Sequence, residues 1–126
     1  MLRRARRSIW LSTFTIKDGA GDLRQLLADQ VRSGVSVNLI VSPGPIKRGS
    51  SAEEVVEDLR AASVHVTVRT NHSKCVVVDE EFVMIGSANL HQDIYRDVGL
   101  HFRSASVAKA LIEYLRELAR SDSHRR

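Results

Sequence analysis

The stretch Ser8–Ile16 (SIWLSTFTI) carries apolar or β-branched side chains on both of its faces, with Ile9, Leu11 and Thr13 alternating against Trp10 and Phe14. A strand wetted on one side alternates apolar with polar residues, whereas a strand like this one has to be covered twice. A chain that holds it is steered toward a layered arrangement with helices on both faces of a sheet.

The segments that follow supply such layers. Gly19-Ala20-Gly21 is a break, and Asp22 is placed to cap a helix. Leu23, Leu26, Leu27 and Val31 recur at helical spacing, and Gly34 stops the helix just before the strand Val35–Val41. Ser42–Ser51 (SPGPIKRGSS) holds both prolines and reads as an exposed loop. Ser51 and Glu54 form a capping box for a second helix with Val55, Val56 and Leu59 inward. Val64–Val68 alternates as a strand. Lys74–Asp79 and Phe82–Gly86 read as two strands joined through Glu80-Glu81, and Val98–Phe102 as a last strand. Ser106 to Arg120 predicts a helix with Val107, Ala108, Leu111, Ile112, Leu115 and Leu118 inward, and residues 2–7 look like the end of a basic helix. The order β-α-β-α and then β-β-β-β-α predicts an α/β fold whose mixed, largely parallel sheet is sandwiched by helices. One domain over residues 1–126 is expected, because two would each lack a sufficient core. The chain begins almost directly on a strand that a covered sheet would normally protect.

The formal net charge is +4. A basic chain hints at nucleic acid or an anionic membrane. Arg3, Arg4, Arg6, Arg7, Arg125 and Arg126 lie at the two ends, however, and setting these six aside turns +4 into −2. The basic excess belongs to the termini, as a nucleic-acid or lipid contact or as a solvated face. Cys75 is the single cysteine, so no internal disulfide forms, and beside Val76, Val77 and Val78 it reads as a small buried hydrophobe. No apolar run approaches the roughly 18–20 residues that span a bilayer. The basic start is followed by a broken apolar stretch without a cleavage-site pattern, so a cytoplasmic location is expected.

Chemistry concentrates in Asn71–Leu90 (NHSKCVVVDEEFVMIGSANL). His72 and Lys74 are two apart and share a face of an extended chain. Ser87 and Asn89 are again two apart, after Gly86. An imidazole, an ammonium and two neutral donors converging on one point suit a phosphate: Lys74 cancels charge on non-bridging oxygens, Ser87 and Asn89 donate to them, and His72 is nucleophile or general acid. Asp79, five residues past Lys74, has the opposite parity and reads as a structural or orienting carboxylate. No metal-ligand spacing is present. His65, His91 and His101 read as ordinary strand or loop residues, and Lys47 and Arg48 as a solvated loop pair with phosphate-backbone contact as the alternative.

The pattern H-x-K-x4-D followed by G-S-x-N resembles the HKD motif of the phospholipase D superfamily through His72, Lys74 and Asp79, then Gly86, Ser87 and Asn89. Ser8–Ile16 and the SGVSVNLIV passage are similar to that family as well, so the resemblance covers nearly the whole chain. It implies a phospholipase D-like α-β-α fold and phosphodiester hydrolysis or transfer without metal or cofactor, with His72, Lys74 and Asp79 as the catalytic set. In the family two HKD motifs meet across a twofold axis. One histidine attacks phosphorus and the other protonates the leaving alcohol. The single motif here resembles the short bacterial nucleases of the family, which complete their site as homodimers. Two departures stand out. Family members often carry N-x-E after G-S-x-N, and here Tyr95-Arg96-Asp97 is the nearest match, leaving Asp97 as a histidine orienter at the substrate site or a surface carboxylate. The family also has a first strand and most of a helix ahead of the segment like Ser8–Ile16; the expectation here is either that this strand is missing or that the chain is a truncated or mis-started product. Three functions follow: a nuclease acting on DNA or RNA as a homodimer, a phospholipid hydrolase or transferase at a membrane, and an inactive module that binds nucleic acid or a partner. The first is preferred, since the chain is short and only 5% aromatic.

Overall fold

The computed structural model describes residues 2–13, 21–44, 46, 48–70, 74–86 and 99–120. Among the described residues, six strands form one sheet, in the order β3-β2-β1-β4-β5-β6. They are β1 (Ser8–Thr13), β2 (Ser36–Val41), β3 (His65–Val68), β4 (Cys75–Val78), β5 (Phe82–Gly86) and β6 (Gly99–Arg103). The helices are α1 (Gly21–Arg32), α2 (Ser51–Ala61) and α3 (Ala105–Arg120). β1–β2 and β2–β3 pair in parallel, and β1–β4, β4–β5 and β5–β6 pair antiparallel, so the sheet is mixed as expected. Four strands run one way, although only two of the five pairings are parallel. Parallel neighbours need a crossover, and α1 and α2 supply the two.

The double-sided strand sits at the centre. β1 lies between β2 and β4, which resolves the apparent exposure of a strand so close to the start of the chain. Its Ile9 and Leu11 enter the core that Val37, Leu39, Val41, Val76 and Val78 share with Leu27 of α1 and Val55, Val56 and Leu59 of α2. Its Trp10 enters the opposite core, with Ile40, Cys75, Val77 and Val83 against Ala108, Ile112 and Leu115 of α3. The α1–α2 layer and the α3 layer thus cover the two faces that the sequence requires.

Several boundaries differ from expectation, each for a local reason. Residues 2–7 hold a single 3-10 turn, Leu2–Arg4, in place of a helix end. The buried Gln30 amide seizes this turn by donating to the Leu2 carbonyl (2.6 Å). α2 is capped one residue earlier than Ser51: the Ser50 hydroxyl accepts from the Glu53 amide (3.1 Å), and the Gly49 amide donates to the Glu53 carboxylate (2.7 Å). Gly49 has φ +78°, which turns its N–H onto that carboxylate. α1 begins at Gly21, ahead of the expected cap Asp22. α3 begins at Ala105, because the Ser104 hydroxyl accepts from the Val107 amide (3.2 Å), and Val107 is 38% exposed, not inward. β6 runs one residue beyond Phe102, and β4 stops at Val78, before Asp79.

α1 and α2 end alike. Gly34 (φ +97°) follows α1, with Val35 N–H donating to Gln30 O (3.0 Å) and Gly34 N–H to Val31 O (3.0 Å). Ser63 (φ +72°) occupies the same position after α2, with Val64 N–H on Leu59 O (3.0 Å) and Ser63 N–H on Arg60 O (3.0 Å). Both are Schellman endings, and only the first has the glycine that fits the left-handed conformation without strain.

Candidate active site

The sequence-predicted site residues attach at one end of the sheet. β1, β2, β3 and β5 finish there, while β4 and β6 begin there. The register fixes the level: Thr13 lies opposite Val41, Val41 opposite Val68, Ser12 opposite Cys75, Cys75 opposite Ile85, and Gly86 opposite Gly99. The Gly86 amide donates to the Lys74 carbonyl (3.1 Å), which extends the β4–β5 ladder by one step. Lys74, Gly86 and Gly99 therefore form one row on three adjacent strands, about 10 Å across at the usual strand spacing.

This row is where the sequence-predicted site residues join the chain. Lys74 is described and half-buried. His72, Ser87, Asn89 and Asp97 lie outside the described residues, as does His91. Connectivity ties them to the row: His72 is two residues before Lys74, Ser87 and Asn89 are one and three after Gly86, and Asp97 is two before Gly99. At 3.8 Å per residue the tethers are short. The end also has the right topology. From β1 the chain turns to β2 on one side and, later, to β4 on the other, and open α/β sheets place their ligand crevices beyond strand ends at such a switch.

Asp79 is elsewhere. β4 separates it from Lys74, and five residues of extended chain span roughly 16 Å. Its carboxylate closes the opposite end of the sheet. Oδ1 accepts from the amides of Arg6 (3.1 Å), Arg7 (2.7 Å) and Ser8 (3.1 Å), and Oδ2 from Arg6 (3.1 Å). The Arg7 guanidinium donates to the Asp79 carbonyl (2.8 Å), and the Asp79 amide donates to Ser8 O (2.8 Å). Partial burial pushes the Asp79 pKa up, but the three amides and the Arg7 charge outweigh it and hold the carboxyl below its ordinary value of 3.8. Asp79 therefore stands at the far end of β4 from Lys74, apart from the row expected to carry the catalysis. It is the orienting carboxylate that the strand parity indicates, and what it orients is the entry into β1.

The hairpin turn differs from the expected Glu80-Glu81 link for the same reason. Asp79 (φ +55°) and Glu80 (φ +59°) are its central residues, and Glu81 N–H donates to Val78 O (3.1 Å). This is a type I′ geometry, which favours Asn-Gly or Asp-Gly. Aspartate tolerates the left-handed region, and its carboxylate gains the amides. Glu80 occupies it with no such return.

Cys75 opens β4, next to Lys74. It is buried beside the Ser12 hydroxyl, with Oγ 3.4 Å from Sγ. Burial pushes its thiol pKa up, with the Ser12 hydrogen bond opposing in part. A thiol held protonated is not a nucleophile. Among the described residues, no group of three or more His, Cys, Asp or Glu side chains is placed to hold a metal ion. No helix among them is long and apolar enough to cross a membrane. The roles of Gln30 and Arg7 escaped sequence reading, because both act on backbone groups brought together only by folding.

The architecture is that of a phospholipase D-like domain. Nuc from Salmonella typhimurium, a phospholipase D family member, superposes with a TM-score of 0.80 at 17% identity, covering 93% of this chain and 80% of its own. TrmBL2, an archaeal chromatin protein whose structure describes a novel mode of DNA binding, superposes with a TM-score of 0.61 at 17% identity, over 92% of this chain and 44% of its own. The chain belongs to the cardiolipin synthase, phospholipase D-like domain family, whose model matches residues 1–118. Cardiolipin synthase of Alkalihalophilus pseudofirmus is 29% identical over 132 residues; the match takes in 97% of this chain and about a quarter (26%) of the synthase.

Proposed function

We propose that the domain is a metal-independent phosphodiesterase working through a phosphohistidine on His72, with nucleic acid as substrate and a second copy of the chain completing the site. The observation that carries the reading is the row Lys74–Gly86–Gly99, to which His72, Ser87, Asn89 and Asp97 are all tethered.

In the first step a ring nitrogen of His72 attacks phosphorus. An N–P bond forms and the bond to the leaving oxygen breaks. His72 of the second copy gives its proton to that oxygen. In the second step the same histidine takes a proton from water, the hydroxide attacks phosphorus, and the N–P bond breaks. Lys74 neutralises the non-bridging oxygens while Ser87 and Asn89 donate to them, which favours the extra charge of the pentacoordinate state. Asp97 orients a histidine.

Nucleic acid is favoured as substrate by the likeness of the single motif to short bacterial nucleases, and by DNA binding on the same fold in TrmBL2. The experiment is turnover of bis(p-nitrophenyl) phosphate, DNA and RNA in excess EDTA by the wild type and His72→Asn. Cleavage that survives EDTA and disappears in the variant is expected; a requirement for metal would overturn the proposal.

A second reading is supported by the family match and by the synthase relative, namely phosphatidyl transfer or hydrolysis on a lipid through the same histidine. Turnover of phosphatidylglycerol vesicles with no cleavage of DNA or RNA would establish it instead.

A further inference from the structure

α3 packs on β1, β4 and β5, and over β2 and β3 its Arg116, Ala119 and Arg120 line a cavity. The cavity measures about 220 Å³ and has an apolar floor that includes Ile40. Its polar lining is Asn38, His65 and Thr67 from the sheet and Arg116 and Arg120 from the helix. Trp10, Asn38 and His65 are register partners in one row, so the lining is set by the sheet itself and not by a loop.

The charge arrangement is uneconomical without a ligand. Arg116 and Arg120 are four apart on α3, so they share a face and repel. The negative end of the helix accounts for a cation at Arg120. It does not account for a second guanidinium a turn earlier or for an imidazole on the facing strand. Arg116 is held with its guanidinium carbon 5.5 Å from the centre of the Trp10 ring, and no acidic side chain is among the described lining residues. Arg120 pairs with Glu117 (3.1 Å), but those side chains are 70% and 73% exposed, and such a pair is readily exchanged.

We propose that this cavity binds a small phosphate-bearing anion, with Arg116, Arg120 and His65 on the phosphate and the apolar floor under its organic body. Its polar sheet lining is set apart from the Lys74 row: β2 and β3 are two and three strand spacings from β4, about 10 and 14 Å, and Trp10 lies three residues, about 10 Å, down β1 from the level of Lys74. The volume is below the several hundred Å³ of a drug-sized pocket, which fits one small unit and not a polymer.

Trp10 is the only tryptophan, so the cavity carries its own reporter. Emission is titrated with inorganic phosphate, glycerol 3-phosphate and a nucleoside monophosphate in His72→Asn protein, with sodium chloride at matched ionic strength as control. A saturable change is expected for at least one phosphate and none for chloride. His65→Gln and Arg120→Gln, both at exposed positions, should weaken it by about tenfold or more, the loss of one charge-assisted hydrogen bond. Their urea midpoints should match the parent, and the tightest of the three ligands reports the size of the bound body. The absence of a saturable signal, equal affinity in both variants, or loss of the signal in Lys74→Ala would each overturn the assignment. Because the titration reads binding in a protein without His72, it stands or falls apart from nuclease activity.

Discussion

Replacing Asp79 tests the division of labour between the two ends of β4. The Ser8 amide is partly buried and loses its acceptor outright in Asp79→Ala, while the Arg6 and Arg7 amides are exposed and can turn to water. A hydrogen bond to a charged group contributes about 1.5–3 kcal/mol and alanine in the left-handed region costs about 1–2, so Asp79→Ala should lose about 3–4 kcal/mol. Asp79→Asn keeps one acceptor oxygen and tolerates the same φ, and should lose about 1–2 kcal/mol. Urea unfolding followed by Trp10 emission measures both.

The pH dependence has a fixed sign. The folded-state pKa of Asp79 lies below its unfolded value, so the contribution is complete above the ordinary carboxylate range, near pH 4, and is lost as pH falls through the folded value. The wild-type advantage over Asp79→Asn should hold steady from about pH 5 to 7 and shrink below about pH 4. Turnover per folded molecule should stay near wild type in Asp79→Asn. An Asp79→Asn protein as stable as wild type, or one that is folded yet inactive, would refute the placement of this carboxylate.

Other consequences are read from the same kind of measurement. Glu80→Gly and Ser63→Gly each relieve a left-handed residue and should raise stability by about 0.5–1 kcal/mol, whereas Gly34→Ala should lower it by a similar amount. Leu39→Ala, fully buried under α1 and α2, should cost about 2–5 kcal/mol in the same unfolding assay. Cys75 should resist a thiol reagent in native buffer and react at once in denaturant; rapid native labelling would show that the Ser12–Cys75 contact opens readily.

The layered fold was legible because β1 is apolar on both faces and because Leu27, Val55, Leu59 and Ile112 repeat at helical spacing. Strand order was less so: that β1 lies between β2 and β4 depends on where the chain goes after β3, and no local pattern encodes it. Helix starts slipped where Ser50 stands beside Ser51 and Glu53 beside Glu54, since adjacent capping boxes look alike until Gly49 chooses one. Of the site, the spacing of His72, Lys74, Ser87 and Asn89 suggests a phosphate, and of these four Lys74 lies among the described residues. Strand parity separated Asp79 from Lys74, but only the fold revealed its partners, the backbone amides of residues some seventy positions away. The cavity under α3 was hidden for the same reason, as Arg116 and Arg120 look like a solvated helix face until His65 and Trp10 are placed opposite.

The most direct test of the central claim is capture of the covalent intermediate. An oligonucleotide labelled at its internal phosphates is mixed with the protein in EDTA and quenched in alkali, which preserves phosphohistidine, and the labelled peptide is mapped. We expect label on His72 in wild-type protein and none in His72→Asn. Turnover in EDTA with no label on His72, or cleavage retained by His72→Asn, would contradict the proposed mechanism.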